Sequence, residues 1–233
     1  DVQIAAVFAL RNFNTPEVKD ALYATLKDKD TGVKLMAASS LLNLGHTPKE
    51  FVPELISILE NENTEPAHRV MAVGILADMK EAKAVEPLIR ILNNRNTATP
   101  ELLEAVVYAL AKIGDDRAVY YISEITLAKP SEQDINLQKA AIVSLGEFKN
   151  SNNAFDSLSK LLEDPKGLII DSEGTKLDLR ADYLPLAILS LKQIDPLKTE
   201  ELLLNLLQKT KDVQLKQAAI LGLSDSVTPG ATE

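Results

Sequence analysis

The chain contains no cysteine and no tryptophan, only two histidines, and few aromatic residues, which make up 4% of its 233 residues. Without cysteine it has no disulfide scaffold, no cysteine-ligated zinc or iron–sulfur site and no thiol nucleophile. With only His46 and His68, a site of three histidines is excluded as well. We therefore expect no metal, no cofactor and no catalytic residue.

Long apolar runs and positive charge are also scarce. No run approaches the roughly 18 apolar residues that a membrane-spanning helix needs, and no targeting segment is visible, so we expect a soluble protein of the cytoplasm or periplasm. The 34 acidic residues outnumber the 25 basic ones, for a net charge of −9. This balance argues against a nucleic-acid partner and favours another protein with a basic or mixed-charge surface.

Short catalytic motifs are missing too. The glycines form neither a dinucleotide-binding pattern nor a phosphate loop, and neither a serine-nucleophile elbow nor a His-Glu-x-x-His motif occurs. Asp115 and Asp116 follow Gly114 where a helix is expected to begin, so we interpret them as capping residues. His68 is expected to be a half-buried residue at a helix start and not a metal ligand.

The sequence does contain a repeat of helical segments. Each segment has a leucine eight residues after its start, and a small residue, alanine, four residues after it, with Val106 as the exception. Counted from the start, offsets 0, 4, 8 and 11 share one face of a helix. The seven starts are Val2, Val33, His68, Leu102, Leu137, Tyr183 and Leu215.

A further helical pattern lies between successive starts, so each repeat is a pair of helices, and the segments above are the second helices. A pair of this size buries its apolar face only by stacking on its neighbours. We predict a single domain over residues 1–226 with a flexible tail at 227–233. Its repeats are a half-repeat at 1–14 and pairs at 15–45, 48–80, 81–114, 115–149, 151–195 and 196–226.

Two segments carry a family resemblance: Ala82-Lys-Ala-Val-Glu-Pro-Leu-Ile-Arg-Ile-Leu92 and Leu110-Ala-Lys-Ile-Gly-Asp-Asp-Arg-Ala-Val119. The chain resembles HEAT-repeat proteins, in particular the short repeats of phycobilin-lyase-like proteins. The resemblance implies an all-α, right-handed α-solenoid of about six helix pairs plus a leading helix. It also implies a non-catalytic scaffold that binds a protein on a concave face formed by the second helices. The alternative is an accessory subunit or phycobilin-lyase-like enzyme that acts with a second chain.

Offsets 2, 6 and 9 point away from the packing face, yet several of these positions are apolar. Either tight packing between repeats buries them, or they line a groove that receives a partner. An insertion near residues 167–179 has two short apolar runs and predicts a β-hairpin, which is either a tolerated loop or a contact element. The candidate partner-binding residues are Phe8, Leu35, Leu42, Tyr108 and Leu189 in the groove, and Leu168, Ile169 and Ile170 in the hairpin.

Two local features leave alternatives open. Pro185 lies in the first turn of its helix if Asp182 caps that helix, and kinks the helix if it begins near Lys176. No first helix precedes the second helix that starts at Val2, so the N-terminal end is predicted to lack a polar cap. We expect that end to be covered by a second copy or by the rest of a longer parent chain.

Overall fold

The computed structural model describes residues 2–129, 131, 134–164, 169–172 and 175–224. The described residues form thirteen α-helices and one β-hairpin. The helices are α1 (Val2–Leu10), α2 (Pro16–Thr25), α3 (Thr31–Asn43), α4 (Val52–Glu60), α5 (Pro66–Asp78), α6 (Val85–Asn93), α7 (Pro100–Ile113), α8 (Arg117–Thr126), α9 (Ile135–Leu145), α10 (Asn152–Glu163), α11 (Arg180–Ile194), α12 (Pro196–Lys209) and α13 (Val213–Ser224).

Local sequence signals set the ends of these helices. The side chain of Asp30 accepts a hydrogen bond from the Val33 amide at 2.9 Å and so caps α3. Asp195 caps α12 in the same way. Gly45 and Gly114 follow second helices with φ of +80° and +76°, where glycine avoids the strain that a side chain would add.

The chain is divided into two compact units, Asp1–Ile113 and Gly114–Glu233. In the first unit the second helices α1, α3, α5 and α7 pack side by side in chain order, and α2, α4 and α6 each pack against the second helix that follows. In the second unit α9, α11 and α13 pack in order, and α8, α10 and α12 cover them likewise. This stacking of helix pairs confirms the predicted all-α solenoid class, whereas the single domain stays a prediction.

The repeated small residues and leucines form the core of each unit. The offset-4 residues of α3, α5, α7, α9, α11 and α13 are completely buried, and so are the offset-8 leucines from α3 to α11. In α1 the same offsets are less covered, because Ala6 is exposed and Leu10 only half-buried. Small residues at offset 4 let neighbouring helices approach closely, which leaves room in the core for leucine and little for larger rings.

The insertion forms the predicted β-hairpin. Strand β1 (Ile169–Ser172) pairs antiparallel with β2 (Thr175–Asp178), and Ile169 lies opposite Asp178.

The helix that follows the hairpin, α11, fits neither of the two alternatives for Pro185. It begins at Arg180, so Asp182 lies in its first turn and Pro185 in its interior. A proline there has no amide hydrogen to donate to the carbonyl of Ala181, so one helical hydrogen bond of α11 is missing.

Candidate functional site

In each unit the second helices carry exposed or half-buried residues six positions after each start, and we call these residues together the offset-6 row. A helix face that only met water would be polar here, but four members of the row are large and apolar. Their exposed fractions are 46% for Phe8, 49% for Tyr108, 56% for Leu189 and 63% for Leu221. The row consists of Phe8, Ser39, Gly74 and Tyr108 in the first unit, and of Val143, Leu189 and Leu221 in the second.

In the first unit the row has an aromatic residue on each outer helix and small residues between them. Phe8 on α1 lies under the guanidinium of Arg11, whose Cζ is 4.2 Å from the ring centroid. Tyr108 stands on α7, and Ser39 and Gly74 on the two helices between. A Cβ added to Gly74 would meet no heavy atom within 4 Å, so the surface is open at that point.

The prediction for Leu35 is wrong, because this side chain is completely buried and offers no surface to a partner. The N-terminal ends of α1, α3 and α5 crowd together around Gly32. A Cβ there would lie 3.0 Å from His68 Nε2 and 3.4 Å from Ile4 Cδ1. Leu35 stands three residues further on the same side of α3 and belongs to this crowded end. Leu42, later in α3, is half-buried and keeps part of its surface.

In the second unit, Leu189 forms a slot with residues that were not among the partner-binding candidates from the sequence. The slot lies between α11 and α13 and has a volume of about 100 Å³. Leu221 stands at the same offset on α13 as Leu189 on α11, and this shared offset was the available signal. The lining residues are Pro185, Ile188, Leu189, Lys192, Ala218, Leu221 and Gly222.

The hairpin candidates are not tested by the structure. Leu168 lies outside the described residues. Ile169 and Ile170 lie on β1, but their side chains are outside what the structure describes. A contact role for these three residues therefore stays a prediction.

Ion pairs and hydrogen bonds link the helices of the second unit to one another. Arg180 pairs with Asp178 and Asp212, and these carboxylates raise the pKa of its guanidinium. Lys139 on α9 pairs with Asp182 on α11 at 3.1 Å. In the core, burial raises the pKa of Tyr183 to about 12, and its hydroxyl donates to Gln138 Oε1 at 2.9 Å.

Two wider grooves lie between first helices. One, of about 570 Å³, is lined by α2 and the start of α4 around Tyr23 and Phe51. The other, of about 460 Å³, lies between α8 and α10, and the exposed ring of Tyr120 forms part of its wall. Asp115 pairs with the guanidinium of Arg117, which lowers the pKa of Asp115, and it also accepts a hydrogen bond from the Arg117 amide at the start of α8. Asp116 stands at the N-cap of α8, but its side chain makes no capping hydrogen bond, so the capping prediction is wrong for Asp116. His68 is half-buried near the start of α5, as expected.

The described residues contain no cluster of histidine, aspartate and glutamate that is suited to hold a metal ion. Among the described helices, none has both the length and the apolar character needed to cross a membrane.

Comparison with known proteins gives one family and several similar solved structures, of which two follow. The family model of HEAT repeats matches residues 1–63 and 52–135. The complex of CpcE and CpcF of phycocyanin lyase from Nostoc sp. PCC7120 is 23% identical, with a TM-score of 0.49 over 95% of this chain and 88% of that one. Human deoxyhypusine hydroxylase is 15% identical, with a TM-score of 0.36 over 94% and 88%. No curated protein matches the sequence. The family match spans more than half of the chain and confirms the resemblance inferred from its repeats.

Proposed function

Because the chain belongs to the HEAT-repeat family, we propose that it is a protein-interaction scaffold that performs no chemistry itself and binds its partner on the offset-6 row. The observation that carries the proposal is the half-exposed state of Phe8, Tyr108, Leu189 and Leu221. These side chains are anchored in their helices and leave about half of their surface to water. A partner that covers them gains the apolar burial that the chain alone does not provide.

Aromatic anchors are suited to this role, because tyrosine and tryptophan are enriched among the residues that dominate binding energy at interfaces. Covering the exposed half of Tyr108 contributes on the order of 1 kcal/mol, since full burial of a large apolar side chain is worth about 1.5–3 kcal/mol. The net charge of −9 supports approach of a partner with a basic or mixed-charge surface. The basic or mixed charge of the partner's surface is part of the proposal.

The hairpin is proposed as an additional contact element of the scaffold. Its apolar run from Leu168 to Ile170 interrupts a repeat that needs no strands. We expect deletion of residues 167–177 to weaken partner binding without lowering the helix content measured by circular dichroism. Unchanged binding would reduce the hairpin to a tolerated loop.

The experiment that tests the scaffold compares proteins captured from the source cell by the wild type, Tyr108→Asp and Leu189→Asp. Tyr120→Asp is the matched control, since Tyr120 is also an exposed tyrosine but lies on a first helix. We expect the two offset-6 variants to lose partners that wild type and control retain, with unchanged circular dichroism. Capture of the same partners by all four proteins would refute the offset-6 row as the binding face.

A second measurement addresses the non-catalytic part of the proposal. Native mass spectrometry of protein purified from the source cell should give the mass of the polypeptide alone or of a complex with another protein. A retained pigment or metal would instead favour the accessory-subunit or phycobilin-lyase-like alternative.

A further inference from the structure

The slot between α11 and α13 is built by a close approach of these two helices. A Cβ on Gly222 would lie 2.7 Å from Ile188 Cγ2 and 3.1 Å from Leu203 Cδ1, so only glycine allows this spacing. Ile188, Ala218 and Gly222 are buried and form the floor. Leu189 and Leu221 are exposed and form the walls, with Lys192 at the rim.

The size of the slot indicates what enters it. Pockets for drug-sized molecules and cofactors have volumes of about 300–1,000 Å³. At about 100 Å³ this slot is well below that range, but large enough for a single aliphatic side chain. Its floor is apolar, so a leucine or isoleucine side chain is better suited to it than a polar group.

The charged side chain in the lining of the slot, Lys192, has the opposite sign to the net charge of the chain. Lys139 is compensated by Asp182, and Arg180 by Asp178 and Asp212. In the part of the chain that the structure describes, Lys192 and Lys216 have no ion-pair partner. Of these cations, Lys192 is the one that lines the slot.

We propose that the slot binds an acidic segment of another protein, in which a leucine or isoleucine enters the slot and a neighbouring aspartate or glutamate pairs with Lys192. The inference rests on the proposed scaffold function and names the chemistry of the partner at this position. The net charge of −9 acts over the whole molecule and favours a basic partner at long range, but the ammonium group of Lys192 selects a carboxylate at the slot. The partner is then a mixed-charge protein whose acidic, aliphatic segment meets α11 and α13.

The probe is a random library of short peptides displayed on phage and selected against the full chain. We expect the enriched peptides to combine an aliphatic residue with adjacent acidic residues. Selection against Lys192→Glu should instead enrich aliphatic residues beside lysine or arginine, because the charge at the rim is reversed. No enrichment, or the same acidic preference in both selections, would overturn the proposal.

An enriched peptide is then titrated against single variants. Leu221→Asp should weaken its binding about tenfold, since it replaces a wall of the slot by a like charge. Lys192→Glu should weaken it about threefold to tenfold, because an exposed ion pair is replaced by a repulsion. Leu204→Asp and Lys209→Glu are the matched controls, an exposed leucine and an exposed lysine on α12, and should leave the affinity unchanged. Equal affinity of Leu221→Asp and wild type would show that the peptide binds elsewhere and would overturn the proposal.

The slot proposal and the proposed scaffold function can fail independently in these experiments. If Tyr108→Asp loses cellular partners while Leu189→Asp and Lys192→Glu keep them, the scaffold function stands and the slot proposal fails. If neither Tyr108→Asp nor Leu189→Asp loses a partner, the offset-6 row fails as a whole.

Discussion

Replacement of Tyr183 by phenylalanine removes a single hydroxyl from the core of the second unit. Tyr183 is completely buried at the start of the packing face of α11. Its hydroxyl donates to Gln138 Oε1 on α9 at 2.9 Å. The amide of Gln138 in turn donates to the Ala128 carbonyl, just after α8, at 2.8 Å. This chain of hydrogen bonds links α11 to α9 and to the segment just after α8, and its first bond is buried.

The expected loss of stability follows from the buried acceptor that the substitution leaves without a donor. Phenylalanine fits the space of the tyrosine ring, so packing changes little, but Gln138 Oε1 stays buried without its donor. An unsatisfied buried acceptor costs about 1–3 kcal/mol. We expect the free energy of unfolding, measured with urea and circular dichroism, to fall by that amount. Tyr120→Phe, which removes an exposed hydroxyl, is the control and should change it by less than about 0.5 kcal/mol.

The pH dependence gives a second readout for Tyr183. Burial raises its pKa from 10.0 to about 12, so the unfolded chain loses the phenolic proton at a lower pH than the folded chain. The stabilisation is fully present below pH 10.0 and is lost as the pH rises to about 12. Tyr183→Phe should lack this part of the decline. A variant that is as stable as wild type at neutral pH, and declines equally above pH 10.0, would refute the reasoning.

Further substitutions at three positions test the packing and a helix cap. Gly74→Ala should raise the free energy of unfolding in urea by about 0.5–1 kcal/mol, because the added Cβ meets no atom and helix propensity improves. Gly222→Ala should lower it by about 1–3 kcal/mol through its clash with Ile188, and an unchanged value would contradict the close approach of α11 and α13. Asp30→Ala should cost about 0.5–2 kcal/mol by removing the cap on the Val33 amide. Asp30→Asn keeps an acceptor and should cost less, so equal losses would speak against capping.

The helix pairs and their packing face were predictable because both depend on local periodicity. A helix brings residues four and eight apart onto one face, whatever surrounds it. Ala72 and Leu76 therefore enter the core at the offsets where the repeat places them. The hairpin was predictable for a similar reason, since two short apolar runs around a turn pair locally.

The candidate site was predicted only in part, because exposure depends on neighbouring helices as well as on a residue's own helix. Phe8, Tyr108 and Leu189 have exposed surface as expected. Leu35 has an equally favourable offset but is covered where three helix ends crowd around Gly32. Leu221 was absent from the candidates, although it stands on α13 where Leu189 stands on α11. Only the packing of α11 against α13 shows that they share one slot.

Two isoleucines show where sequence reasoning stops for this chain. Ile188 and Ile220 are the same residue type at the same offset of a second helix, five residues after Tyr183 and Leu215. The periodic pattern places both on the same flank of their helices, since a helix is a local structure. Ile188 is 3% exposed because α13 packs over it, whereas Ile220 is 56% exposed, with no further helix beyond α13 in the described residues. A side chain is buried only where another element packs against it. The repeat specifies the position of a residue on its own helix, but not which helix packs against that position.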